Sequence, residues 1–228
     1  RDLIRENQSE ALPLLLKQNF SESEIYYLWN RIKADYFARY SPRQIAWHCE
    51  HILRHKEQHE PLVLISKTPI RGGTQVFVYT HDQPNLFAKL VSALDSKKVN
   101  IFDAQIMTSK DDYAMDTFVI LEQNGEAVTS PSRLNSIKRA LELYIIGKPD
   151  LNRQKSRLSR QMRQFNIPPK VVFLPGNTKQ RTMMEIAALD TPGLLAKIGE
   201  VFQQCEVNIH AAKITTIGER AEDFFMLS

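Results

Sequence analysis

Cysteine and glycine are scarce in this sequence, two and eight among 228 residues. Cys49 and Cys205 stand far apart and make no disulfide framework; each falls in an amphipathic segment, where a small apolar residue buried on a helix is expected. No Gly-rich phosphate loop, Ser elbow, C-x-x-C pair or zinc-protease motif occurs, so no catalytic residue is assigned. No uninterrupted apolar run approaches the ~20 residues of a membrane span, which excludes a membrane partner of the spanning kind. The start, RDLIRENQSE, has neither an initiator methionine nor a signal-peptide pattern. These absences together lead to the expectation of a piece of a longer, cytoplasmic chain in a reducing compartment.

What is present is enough apolar sequence for two or three packed units. The first sixty residues read as helices. Ser21 with Glu24 three positions on forms a capping box, and Ile25, Leu28, Trp29 and Ile32 follow at helical spacing. Ser41, Pro42 and Gln44 repeat the start signal ahead of the stripe Ile45, Cys49, Ile52 and Leu53. That second helix carries His48, His51, His55 and His59, the last three spaced to share a face. HKEQH has Lys56 and Gln58 where a metalloprotease glutamate would stand, so a solvated polar face is expected rather than a metal site.

From Thr68 the period changes. TQVFVYT reads as a strand after the turn signal RGG, and PNLFAKLVSALDSKK places Leu86, Leu90 and Leu94 on one helical face. VNIFDAQIMTS and YAMDTFVILE follow as two strands around the turn KDD. SPSRLNSIKRALELYI is a second helix, and KVVFLP reads as a fourth strand, giving the order βαββαβ. Between them, nine basic residues from Lys148 to Arg181 face a lone Asp150. A solvated connector and a nucleic-acid surface are the two readings. No aromatics alternate with the charges as base stacking needs, and the strands lack the basic-Gly-aromatic pattern of an RNA-binding sheet, so no nucleic-acid partner is expected.

The segment YTHDQPNLFAKLVSALDSKKVNIFDAQIMT returns as ALDTPGLLAKIGEVFQQCEVNIHAAKIT at a shift of 108 residues. Asp82 pairs with Asp190, Pro84 with Pro192, Leu86 with Leu194, Val99-Asn100-Ile101 with Val207-Asn208-Ile209, and Ala104 with Ala212. One residue fewer in the next turn pairs Asp116 with Asp223 and Phe118 with Phe225. Duplication explains this register. The second copy ends after its third strand, so its last helix and strand are expected to be missing, with the third strand left as an open edge. Ala104, Ile106, Thr108, Ala212, Ile214 and Thr216 alternate along strands and read as core beneath the helices, joined by Phe118 and Phe225.

Asp190-Thr191-Pro192-Gly193 places a capping hydroxyl, a proline at the first helical position and a glycine directly after a strand. Free backbone N–H groups at such a helix start, with the positive end of its dipole, can hold a carboxylate such as that of an amino acid. Gly193 lets a ligand approach the backbone, and Asn208 offers a donor and an acceptor. The alternative is that Asp190 and Thr191 only cap the helix and Asn208 only makes a turn. In the first copy Asn85 stands where the second has Gly193, so its backbone is expected to be less open.

At DTPGLLAKIGEVF, VNIHAAKITTIGERAEDFF and TSKDDYAMDTFVIL the chain resembles tandem ACT domains, ferredoxin-like βαββαβ modules that bind amino acids and regulate enzymes. With DYFARYSPRQIAWH and RGGTQVFVYT added, it resembles the C-terminal region of the bacterial bifunctional protein-PII uridylyltransferase/uridylyl-removing family. The resemblance implies an α+β fold: a helical segment over 1–60 following an HD domain, a first ACT module over 68–176 that includes the basic connector 148–170, and a second, truncated one over 181–228. It implies a parent enzyme that adds UMP to PII signal-transduction proteins and removes it, with Mg2+ expected for the parent and no cofactor or metal in this part. The nucleotidyltransferase and HD metal motifs are absent here.

The resemblance carries glutamine binding onto Asp190, Thr191, Pro192, Gly193 and Leu194 with Asn208 and Ile209. A second turn falls on Asp82, Gln83, Pro84, Asn85 and Leu86 with Asn100 and Ile101. Binding across the face between two modules, and a homo-oligomer through ACT sheets, are both expected arrangements. The alternatives are an ACT region of an alarmone synthetase or amino-acid biosynthetic enzyme, and a purely structural dimerisation module.

Overall fold

The computed structural model describes residues 2–55, 59–148, 168–191, 193–217 and 219–228. Its elements run α1 (Asp2–Leu16), α2 (Glu22–Arg31), α3 (Ala34–Arg39), α4 (Pro42–Arg54), β1 (Leu62–Ile65), β2 (Thr74–His81), α5 (Leu86–Ser96), β3 (Asn100–Gln105), β4 (Tyr113–Leu121), α6 (Pro131–Ile145), β5 (Lys170–Pro175), β6 (Thr182–Leu189), α7 (Leu194–Gln204), β7 (Ile209–Ile217) and β8 (Arg220–Leu227). The fold is α+β, with eight strands in one sheet ordered β1-β2-β4-β3-β7-β8-β6-β5. Residues 1–64, 77–82 and 107–116 make one compact unit, and 65–76, 83–106 and 117–228 make a second.

In the first unit both expected capping boxes form. The Ser21 hydroxyl accepts from Glu24 N while the Glu24 carboxylate accepts from Ser21 N, and Ser41 and Gln44 repeat the exchange with Pro42 opening α4. Each such cap stabilises its helix by about 1 kcal/mol. The apolar stripes they launch bury Ile25, Leu28, Trp29, Ile45, Cys49 and Ile52 in one cluster with Tyr36, Phe37, Phe77 and Met115. His48 belongs to that core and not to a polar face: it is fully buried, its ring is stacked on Phe77 at 3.9 Å, and its Nδ1 lies 2.8 Å from the Tyr36 hydroxyl. His51 donates to the Trp47 carbonyl, and α4 ends at Arg54, so His55 and His59 do not continue its face. Lys56 and Gln58 lie outside the described residues.

The turn between β3 and β4 is held to the end of α2 in this same unit. Lys110 N donates to the Arg31 carbonyl at 2.8 Å, the Lys110 ammonium donates to the Asn30 carbonyl, and Arg31 Nε donates to Asp111 Oδ2 at 2.6 Å. Burial disfavours the Asp111 carboxylate, but the Ser109 hydroxyl and Arg31 together hold its pKa below the ordinary value.

The second unit contains the seam between the two repeats. β3 and β7 pair antiparallel, Asp103 with Lys213, Ala104 with Ala212 and Gln105 with Ala211. The register carries one side-chain row across the unit: Phe118, Ala104, Ala212, Phe225, Met184 and Phe173 are successive cross-strand partners. Phe87 of α5 and Phe202 of α7 lie over this row against Phe225, which places the row on the helix side. Ala104, Ala212, Phe118, Phe225 and Ile214 are buried as expected, whereas Ile106 and Thr108 are half-buried. The side chain of Thr216 lies outside the described residues. The duplication extends to irregularities, since the β3 register slips between Ile101 and Asp103 and the β7 register between the matching Ile209 and Ala211.

Three expectations are corrected here. KVVFLP is β5 and hydrogen-bonds to β6, Lys170 opposite Ala187 through Pro175 opposite Thr182, instead of closing the first module. A short hairpin through Gly176, whose N–H bonds the Arg181 carbonyl, sets that pairing. The third strand of the second copy is no open edge, because β8 lies between β6 and β7, and the edge is β5. Cys205 is exposed just beyond α7, while Cys49 is buried. The strand β1, LVLI, was not foreseen in the sequence.

Candidate functional site

Both helix starts adopt one backbone geometry. Gly193 opens α7 at φ 79°, ψ 7°, and Asn85 opens α5 at φ 61°, ψ 18°. This left-handed conformation costs glycine nothing, and asparagine tolerates it best among residues with a Cβ. Asn85 therefore reproduces the turn that Gly193 makes. Each helix then repeats the same bonds: Leu194 N donates to the Thr191 carbonyl at 3.0 Å and Leu86 N to the Gln83 carbonyl at 3.3 Å. The residue that opens each helix has no side-chain cap of its own. Pro192 lies outside the described residues. A Cβ added at Gly193 would meet no atom within 4 Å.

The strands do not group the candidate residues as the sequence paired them. Asp190 N donates to the Glu219 carbonyl beside the start of β8, whereas Asn208 exchanges two backbone bonds with Ser228 past its other end. Leu189 opposes Arg220 and Ile209 opposes Leu227. Seven residues of strand, about 24 Å, thus separate Asn208 and Ile209 from the turn Asp190–Leu194. The first copy is alike: Asp82 N donates to the Asp112 carbonyl, and Asn100 opposes Leu121 at the far end of β4.

The antiparallel seam exchanges the partners. Ile106 N donates to the His210 carbonyl, which brings the Asn208 end of β7 to the C-terminal end of β3. Continuing that register sets Asn100 and Ile101 alongside the C-terminal end of β7, from which the chain turns at Glu219 to meet Asp190. The seam register thus runs the strand start of each repeat toward the end of the sheet at which the other repeat's turn lies.

Two buried carboxylates went unrecognised in the sequence beyond their alignment. Asp116 and Asp223 are 2% and 1% exposed. Asp116 Oδ1 accepts from Met107 N and Asp223 Oδ1 from Thr215 N, again equivalent contacts. Burial, reinforced by the charge of Asp82, pushes the Asp116 carboxyl up to about 8 despite the Met107 bond; burial and Asp190 push Asp223 up to about 7. Each repeat therefore holds a buried carboxyl whose pKa is raised far above the ordinary carboxylate range and which is electrostatically linked to the first residue of its turn. A second missed residue is Gln203, whose Oε1 accepts from Asn85 N at 3.1 Å. No local pattern marks it, because it reaches the turn from the far end of α7.

Among the described residues no group of three or more His, Cys, Asp or Glu is placed to hold a metal. No described helix is long and apolar enough to cross a membrane. The basic run lies mostly outside the described residues.

The family model described as the uridylyltransferase GlnD fifth domain matches residues 1–51. Bifunctional uridylyltransferase/uridylyl-removing enzymes match the whole chain, at 50% identity in Vibrio cholerae and 51% in Vibrio parahaemolyticus. The enzyme of that name from Aliivibrio fischeri matches at 48%. In each case the chain spans 26% of the relative's length. No solved structure matches. Over its full 228 residues the chain is thus similar in sequence to the C-terminal quarter of bifunctional uridylyltransferase/uridylyl-removing enzymes.

Proposed function

We propose that this chain is the amino-acid-sensing region, with glutamine as its effector, of an enzyme that attaches UMP to PII signal-transduction proteins and removes it. The observation that carries this reading is the pair of left-handed helix starts on repeats joined antiparallel through β3 and β7, a register that runs each repeat's strand start toward the sheet end bearing the other repeat's turn. A helix start supplies unpaired N–H donors and about half a positive charge, which suits an α-carboxylate. The match to uridylyltransferase/uridylyl-removing enzymes supports the enzyme context, and the cytoplasm is where such chemistry would find its substrates. Glutamine controls the parent only if it binds one arrangement of the modules more tightly than another.

Calorimetric titration with glutamine, against glutamate and asparagine, tests this. Saturable heat with glutamine alone is expected. Equal heats with all three would leave an unselective amino-acid module.

A structural reading has one observation in its favour. β5 is an edge strand with Val171, Phe173 and Leu174 exposed by 51%, 64% and 40%, a ready template for pairing with a second sheet. Light scattering separates the two: a dimer whose mass and stability ignore amino acids would favour assembly over sensing.

A further inference from the structure

We propose that the tip of the β3–β4 hairpin relays occupancy of the turn at Asp82 to the helical segment, by capping the last turn of α2. This rests on reading Asp82–Leu86 as an amino-acid turn. Lys110, Asp111 and Asp112 make the tip, and each is bonded away from it. The Asp112 carbonyl accepts the Asp82 N–H at 2.8 Å, where β2 gives way to the turn. Asp111 Oδ2 accepts from Arg31 Nε at 2.6 Å. Lys110 donates its backbone N–H to the Arg31 carbonyl and its ammonium to the Asn30 carbonyl, both at 2.8 Å. All of these residues belong to one compact unit.

A helix leaves its last four carbonyls without partners of its own. No glycine follows α2 to fold the chain back over them: Ile32 is extended at φ −87°, ψ 141°, and its N–H bonds the Trp29 carbonyl. The Asn30 and Arg31 carbonyls take their donors from Lys110 instead, 80 positions from Asn30. Arg31 also ties this helix end to β2, its Nη2 donating at 3.1 Å to the hydroxyl of Tyr79, three residues before Asp82. Tyr79 is in turn stacked on Tyr113, directly after the tip, with ring centroids 4.8 Å apart. Asp82 is therefore held through its strand and through the tip by groups that both end on Arg31. A carboxylate bonded to the N–H groups of the turn fixes the backbone beside Asp82, and the Asp82 N–H passes that constraint to Asp112 and Lys110. The element with two states is the last turn of α2, capped when the tip is seated and frayed when it is not. Linkage runs both ways, so a seated tip strengthens ligand binding by the factor that ligand favours the seated tip. In the second repeat Asp190 N bonds the Glu219 carbonyl, which makes Glu219 the counterpart of Asp112 and sets Gly218, with no carboxylate, at the place of Asp111.

The test is amide hydrogen exchange of the 15N-labelled chain with and without saturating glutamine, with chemical shifts at Asn85 and Leu86 showing whether the first turn is filled. Filling is expected to slow exchange of the Lys110 N–H, which caps α2, by at least about fivefold, the lower end of coupling between sites. In Arg31→Ala that response should vanish, while glutamine still shifts Asn85 with an affinity about fivefold weaker and shifts Leu194 with its affinity unchanged. Asp111→Ala, which leaves α2 itself unaltered, should do the same. A merely structural contact would lower the stability of both variants and leave the glutamine response of Lys110 in place, which overturns the relay. Shifts at Asn85 and Leu86 with unchanged Lys110 exchange in the unsubstituted chain also overturn it and spare the sensor reading. No shift at either turn overturns the sensor reading and the relay with it.

Discussion

Asp116 and Asp223 sit in apolar strands where a valine would cost less, and their raised pKa values make that cost depend on pH. Unfolded, each carboxyl ionises near 4; folded, they hold their protons to about 8 and about 7. Between those limits the folded state binds more protons, so their contribution to stability is fully present below about pH 4 and is lost as pH rises through 7 to 8. Each group contributes a slope of about 1.4 kcal/mol per pH unit within its window. Thermal melts between pH 5 and 9 should show falling stability, and Asp116→Asn should flatten the fall and melt higher than the unsubstituted chain at pH 9. A flat profile in the unsubstituted chain would contradict the burial argument. At Gly193, φ 79° makes a sharper demand: Gly193→Asn should fold and melt as Asn85 already permits, while Gly193→Val should cost about 1–2 kcal/mol and weaken glutamine binding. Glycine's place in the turn was legible because proline and aspartate surround it. The carboxyls were visible in the alignment, but alignment alone gives no burial.

The elements show why helix and strand periods were readable while partners were not. Amphipathic stripes and capping boxes are local, and α2, α4 and α6 begin where Ser21, Pro42 and Pro131 lead one to expect, whereas α7 begins at Leu194, two places past the proline expected to open it. The alternation in KVVFLP names a strand without naming its neighbour; a hairpin to β6 decided that. Helix contact at the seam depends on Gly199, where an added Cβ would come within 2.9 Å of the Phe87 ring and 3.3 Å of Ala88. The first copy carries Val91 at that position. Gly199→Val should destabilise the second unit by about 1–3 kcal/mol in urea unfolding, through overpacking between α5 and α7. In the first unit Arg31→Ala removes the hydrogen bonds to Asp111 and Tyr79, both partly solvated, and a loss of about 1 kcal/mol is expected.

Across the whole molecule, duplication was the strongest signal: the two helix starts share one geometry, and the register slips of β3 and β7, which the sequence did not announce, fall at matching positions. It also misled. Copying one module onto the next grouped Asp190 with Asn208 and Asp82 with Asn100, whereas the antiparallel β3–β7 seam carries each asparagine to the other module's end. Sequence similarity within a repeat says nothing about how two repeats join. The central claim, amino-acid binding at turns completed across the seam, is most directly tested by mapping backbone amide shifts of the 15N-labelled chain during glutamine titration. The account predicts saturable shifts at Gly193 and Leu194 together with Asn100 and Ile101, and at Asn85 and Leu86 together with Asn208 and Ile209. Shifts confined to one repeat's turn and that repeat's own asparagine, or none in either turn at saturating glutamine, would contradict it.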